Sequence, residues 1–270
     1  MNSTLVYLYL ISPLHTGGAT QEGNLLGIAR ESHTELPYIP SSSIRGRLRA
    51  SIDEKTLQYR LFGNELNGSS SSSGRLEQGA IWIGDGSILW LPVPSLSHGV
   101  IWVSCPMLLQ RWARLNSAKV TIPAPYSTSL SPHKPVYLKD AILKAVDLQQ
   151  WKDWQTFIPK STETNGIQRV LVLPDHHCTT LIQMSLWRQV KIKLDAHKTV
   201  EGGFRYEEAI PPDTLMYFPW GITSQANGEA TKSQGEFKAL LCKYPVLQIG
   251  GQESLGRGFV QQWMINQEGK

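Results

Sequence analysis

The sequence predicts an α+β fold. β-rich apolar runs alternate along the chain with amphipathic stretches of helical period, and 23 glycines and 16 prolines punctuate them. Hydrophobic content of 41% with 18% charged residues places the 270-residue chain among globular proteins with a substantial core. A net charge of +4 permits an anionic partner without demanding one. No apolar run is long enough to span a bilayer, and the N-terminal residues lack a secretory pattern, so neither a membrane nor an export route is expected. Cys105, Cys178 and Cys242 are odd in number and widely spaced, which fits a reducing cytoplasm better than a disulfide framework.

Residues 4–11 form the first strand, expected to be central, and run into Ser12-Pro13-Leu14-His15-Thr16-Gly17-Gly18. His15, at a strand end beside two glycines, is a candidate general acid or base, against the plainer reading of a surface histidine. In the next informative stretch Pro37 and Pro40 stiffen a loop that leads to Ser41, Ser42 and Ser43, candidate caps for a helix. Ile44, Leu48, Ile52 and Leu57 recur at helical spacing. Arg45, Arg47 and Arg49 enter the first turns, where the helix dipole disfavours cations. A bound phosphate at that N-terminus would resolve the conflict; the alternative is a solubilising basic face.

The helix stops at Phe62-Gly63, and the serine-rich residues 67–74 read as a flexible insertion. Residues 79–84 and 87–93 look like strands flanking the turn Asp85-Gly86, and 100–104 like another. Cys105-Pro106 opens a helix whose Met107, Leu108, Trp112 and Leu115 face the core. Residues 121–135 read as irregular, 138–154 as a helix and 170–173 as a strand. Asp175-His176-His177-Cys178 resembles a metal cluster in composition, but adjacent residues do not readily converge on one ion, so no metal site is assigned.

Residues 190–194 and 204–206 alternate like the arms of a hairpin whose projecting loop carries His197 and Lys198, able to reach an anion or simply solvated. Glu207 and Glu208 follow; neighbours on a strand point to opposite faces, so at most one serves acid–base or metal chemistry. Finally, Gly250, Gly251, Gly256, Arg257 and Gly258 lie between two apolar runs. They read either as a phosphate cradle of open amides or, more simply, as tight turns joining strands.

Taken in order, several stretches resemble the RAMP superfamily, and within it the backbone subunit of the type III-B CRISPR effector (the Cmr module) or of a closely related type III subtype. They are Pro13-Leu14-His15-Thr16-Gly17, Arg30-Glu31-Ser32-His33-Thr34, Ile39-Pro40-Ser41-Ser42-Ser43-Ile44-Arg45-Gly46, Gly79-Ala80, Val103-Ser104-Cys105-Pro106, the segment from Glu207 to Thr214 and the glycine-rich segment. The resemblance implies a single domain over 1–270, a modified RRM-like (ferredoxin-like) sheet with insertions and a thumb hairpin at 190–206. It implies subunits stacked as a filament on guide RNA, other effector subunits as partners, and a target RNA read by base pairing rather than by the protein. Ser41, Ser42, Ser43, Arg45, Arg47, Gly250, Gly251 and Arg257 would then hold guide phosphates, while His197 and Lys198 sit on the thumb that flips a nucleotide.

The family also cuts target RNA in a divalent-metal-dependent reaction, Mg²⁺ or another ion, resembling in-line attack by the ribose 2′-OH with help from an aspartate. That aspartate's place falls on Leu25, or on Asn24 with a one-residue shift, and neither supplies a carboxylate. His15 and Glu207 match supporting catalytic positions; Ala209 stands where a tyrosine is usual, and Glu22 is a substitute only if the loop folds differently. The function expected is a guide-binding scaffold lacking the usual cleavage residue. The alternatives are an active metal-dependent endoribonuclease and a stand-alone guide-processing ribonuclease using His15 without metal.

Overall fold

The computed structural model describes residues 4–22, 24–64, 78–116, 120–224, 226 and 228–265, with 18–22 as backbone alone. The serine-rich insertion at 67–74 lies outside the described residues.

The first strand, Thr4–Leu10, lies inside a sheet, third from one edge. Its alternation sends Leu5 and Tyr7 to one face and Val6, Leu8 and Leu10 to the other, and all five are buried. It is flanked antiparallel by Leu215–Ile222 and Phe259–Trp263. The order continues outward through Ser87–Ser95, Gly99–Ser104, Val170–Val172, Ser127–Thr128 and Gln149–Gln150 on one side, and through Val246–Gln248 on the other. Ile81–Ile83 pairs with the far end of Leu215–Ile222. The two stretches around Asp85-Gly86 therefore share one partner strand instead of pairing with each other.

Helix α1 (Ser41–Ala50) and helix α2 (Lys55–Phe62) pack on the face that carries Val6, Leu8 and Leu10, together with a later helix, Ala230–Lys243. Ile44, Leu48, Phe62, Phe237 and Leu241 meet Phe218 and Trp220 there, and each side chain so buried contributes about 1.5–3 kcal/mol relative to exposure. Helix α3 (Pro106–Leu115) covers the opposite face, where Leu109 and Trp112 join Tyr7, Trp90 and Tyr217. Thr4–Leu10, α1, Ser87–Ser95, Leu215–Ile222, Ala230–Lys243 and Phe259–Trp263 thus run β-α-β-β-α-β, the connectivity of a ferredoxin-like unit. Because α3 covers the second face, the sheet offers no open aromatic platform, and none of the nine tryptophans is exposed.

The helix expected over 138–154 is not there. Short strands Ile142–Leu143, which pairs with Val136–Tyr137 just before it, and Gln149–Gln150 occupy it, with a 3₁₀ turn at Ala145–Asp147. Amides of Gln149 and Trp151 donate to Tyr126 and Thr128 carbonyls, so an unpaired sheet edge captured a weakly periodic stretch. Conversely α4 (Asp175–Met184) and α5 (Ala230–Lys243) form where the residues give little warning. Paired threonines weaken α4, and the stripe of α5 is reduced to Phe237, Leu240 and Leu241 plus a buried serine.

A second sheet, ordered Trp187–Leu194, Val200–Ala209, Leu25–Ile28, Gly17–Glu22, stands beside the first. Its first two strands are the anticipated hairpin, with arms longer than 190–206 suggests. Asp195 closes the turn by accepting from the amides of His197 and Thr199 and from the Thr199 hydroxyl. No helix among the described residues is long and apolar enough to cross a membrane.

Candidate nucleic-acid interface

Three segments converge at the C-terminal end of the first strand: the Pro13–His15 loop, Ile210 and the glycine segment. Leu14 and Ile210 exchange backbone hydrogen bonds, Gly251 N donates to His15 O at 2.9 Å, and Gly258 N donates to Pro13 O at 2.9 Å. The glycines are required by contact. A Cβ on Gly250 would lie 2.3 Å from His15 O and one on Gly258 2.0 Å from Ile249 O, and both residues have φ near +80°. His15 is only 5% exposed, with Nδ1 2.7 Å from the Glu208 carbonyl oxygen. A carbonyl only accepts, so Nδ1 carries a hydrogen.

The two adjacent glutamates are both buried and, as strand geometry requires, face opposite ways. Glu208 pairs with Arg30 at 2.7 Å and Arg188 at 2.9 Å. Glu207 accepts from Lys191 at 2.7 Å, Gln252 at 2.9 Å and Arg257 at 3.0 Å, with Arg205 3.6 Å from its second oxygen. Burial opposes its ionisation most strongly, but the hydrogen bonds and charges of Lys191, Gln252 and Arg257 prevail and hold it below the usual carboxylate value. Arg257 is itself buried. One Nη binds Glu207 and Gln252, the other reaches Gln189 Oε1 at 2.6 Å, and the guanidinium carbon lies over the Trp187 ring, 4.5 Å from its centre.

Several residues singled out from the sequence therefore sit differently from expectation. Ser41, Ser42 and Ser43 lie inside the first turn of α1, behind Pro40, and none caps it with its side chain. Instead Asp85 Oδ1 accepts from Ser41 N at 2.7 Å, which places a carboxylate where a phosphate was expected. Arg45 turns inward, donating to the carbonyls of Phe62 and Ile81 and lying 5.4 Å from the Phe62 ring centre. Arg47 is half-buried with its Nε out of water. In the glycine segment Gly250 and Gly251 are exposed, but the amides of Gly251, Gly256, Arg257 and Gly258 all donate within the protein. The plainer reading, tight turns joining strands, describes that segment.

His197 and Lys198 stand exposed at the hairpin tip, as expected. The larger cationic surface is one the sequence reading passed over: Lys191, Lys193 and Arg205 share one face of the hairpin, and Lys193 and Arg205 are 75% and 63% exposed. The opposite face carries Val190, Ile192, Phe204 and Tyr206, all 40–52% exposed. The period-two alternation from Val190 to Leu194 is the signal that contained both faces.

Asn24, exposed in the turn before Leu25–Ile28, accepts from Tyr206 N at 2.7 Å, and Leu25 lies opposite Tyr206. Leu25, in the place of the missing aspartate, is thus beside the hairpin base, opposite the residue next to Glu207 on the facing strand. Glu22 pairs with Leu25 through its backbone, and its side chain lies outside the described residues. Ala209 is fully buried. Asp175 begins α4 and accepts from Met107 N, capping α3, while Cys178 packs in the core.

Among the described residues no three His, Cys, Asp or Glu side chains are placed to hold a metal ion. Hard divalent cations take oxygen ligands, and among the described residues the two carboxylates at the hairpin base, Glu207 and Glu208, are already held by cations. These residues do not fit Mg²⁺ as they stand.

The chain matches the RAMP superfamily model over residues 7–261. It is 30% identical over 285 residues, 97% of this chain and 95% of the relative, to the CRISPR system Cmr endoribonuclease Cmr4 of Pyrococcus furiosus. The crystal structure of oligomeric Cmr4 from Pyrococcus furiosus is similar at TM-score 0.69 and 26% identity, covering 97% of both chains. A chain of the type III-B Cmr-beta complex bound to cognate target RNA has TM-score 0.75 at 21% identity over 96% of both, a likeness of fold.

Proposed function

The chain belongs to the RAMP superfamily, and from that premise we propose that it is a guide-RNA-binding backbone subunit of a type III-B CRISPR effector in the cytoplasm. Copies of the chain line up along the guide together with other effector subunits and position a paired target RNA. The observation that carries this reading is the end-to-end match to a relative named for its place in the Cmr system. The hairpin supplies the physics. Lys193, Lys198 and Arg205 present exposed charge to phosphates, while Val190, Ile192, Phe204 and Tyr206 form an apolar wedge of the kind that unstacks a nucleotide.

Target cleavage is weak or absent in this reading, because Asn24 and Leu25 occupy the carboxylate's place and Glu207 is engaged by Arg257 and Lys191. The relative's description as an endoribonuclease favours the second reading, in which His15 and Glu207 cut target RNA with a divalent metal. The assembled complex, incubated with matching RNA and Mg²⁺, decides between them. Evenly spaced products from the unaltered chain would overturn the scaffold reading. Products that arise only in Asn24→Asp or Leu25→Asp would support it and locate the missing group.

A further inference from the structure

We propose that Arg257 is a positioning residue: it clamps both arms of the hairpin at their base and so fixes the angle at which the cationic face meets RNA. Gln189 and Glu207 are cross-strand partners, one on each arm. The two Nη atoms of Arg257 divide between them, at 2.6 Å and 3.0 Å, while the guanidinium carbon lies over the Trp187 ring, 4.5 Å from its centre, at the root of the first arm. Arg257 belongs to the glycine segment, which is itself fastened to the His15 loop through Gly251 and Gly258. The hairpin is thereby tied to the body of the fold through a side chain that is 4% exposed. Beyond this root the side chains of both arms are largely exposed.

The geometry makes a small angle matter. At about 3.3 Å per residue the arms reach roughly 20 Å from Gln189 to the turn. A tilt of about 10° at the root would carry the tip about 3.5 Å, comparable to the rise of one nucleotide along a duplex strand, about 3.4 Å. Only arginine meets both demands, because a forked donor reaches two acceptors and a flat cation stacks on indole. Lysine offers a single nitrogen and no plane, so it cannot hold both acceptors from separate nitrogens while lying flat on the ring.

The clamp itself does not depend on RNA binding; its consequence for RNA rests on the functional reading above. The test uses the full chain carrying Arg257→Lys, Arg257→Met and, in case these fold poorly, Gln189→Ala, which removes one exposed partner. Amide hydrogen exchange is followed across 189–206 and across α1 and α5. Exchange in the hairpin is expected to rise tenfold or more in both Arg257 variants and less in Gln189→Ala, with α1 and α5 unchanged. Unchanged hairpin exchange overturns the clamp whatever the RNA result.

In parallel, affinity for single-stranded RNA is measured against salt. A positioning role lowers affinity at every salt concentration and leaves the slope of log K against log salt unaltered. A slope reduced by about 0.7 would mean that Arg257 itself contacts phosphate and would overturn the proposal. If the unaltered chain binds no RNA, the functional reading fails while the exchange experiment still decides the clamp.

Discussion

Two sets of basic residues behave in opposite ways. Arg45 and Arg257, in the stretches whose composition most suggests phosphate binding, point inward to carbonyls, carboxylates and aromatic faces. Lys193, Lys198 and Arg205, in a hairpin of unremarkable composition, point outward. What separates them is the supply of partners. A cation near buried acceptors satisfies them and is satisfied by them, whereas on the distal hairpin Lys193 meets Glu201 in an exposed pair of small net value and Arg205 stands a longer 3.6 Å from Glu207.

The first way to break this contrast is to remove a buried partner. Glu207→Ala leaves Arg257 buried with its charge uncompensated, and about 3–5 kcal/mol of stability should disappear in urea unfolding. A loss below about 1 kcal/mol would mean that Arg257 rehydrates easily and is not truly inward. The same carboxylate predicts a pH response. Its folded-state value is depressed, so its stabilisation is present above the unfolded-state value and fades as pH falls through the folded one. Glu207→Gln should therefore flatten the acid limb of the stability curve below about pH 4.5.

A smaller loss is expected from Gly250→Ala, where a new Cβ meets His15 O at a positive φ. The cost is about 1–3 kcal/mol, visible as a lower Tm. Arg45→Met leaves the Phe62 and Ile81 carbonyls without donors and should cost about 1–3 kcal/mol, with no change in the salt dependence of RNA binding. At the bottom of the scale, the triple variant Lys193→Ala, Lys198→Ala, Arg205→Ala should alter stability by no more than about 0.5 kcal/mol per site. A large loss there would show the outward cations to be structural after all.

Much of the fold was legible in the residues. The alternation of the first strand, the proline that opens α3 and the arms around His197 each carry a local signal that the packing does not override. The segment 138–154 was not legible, because its fate depends on a strand edge some twenty residues earlier. At the candidate site the order of motifs gave the family, and Glu207 and Glu208 were rightly divided between opposite faces. The direction of the arginines was hidden. A sequence records that Arg257 is basic, but Gln189, Glu207 and Trp187, which turn it inward, lie 50 to 70 residues away. Ser41 to Ser43 misled for a similar reason, since the group at that helix start, Asp85, comes from another strand connection.

The salt dependence of RNA affinity tests the contrast most directly, comparing the unaltered chain with the triple hairpin variant. Each lost phosphate contact lowers the slope of log K against log salt by about 0.7 on a single strand, so a fall of about 2 is predicted. An unchanged slope in that variant, with RNA still bound, would contradict the account by placing the phosphates away from the hairpin.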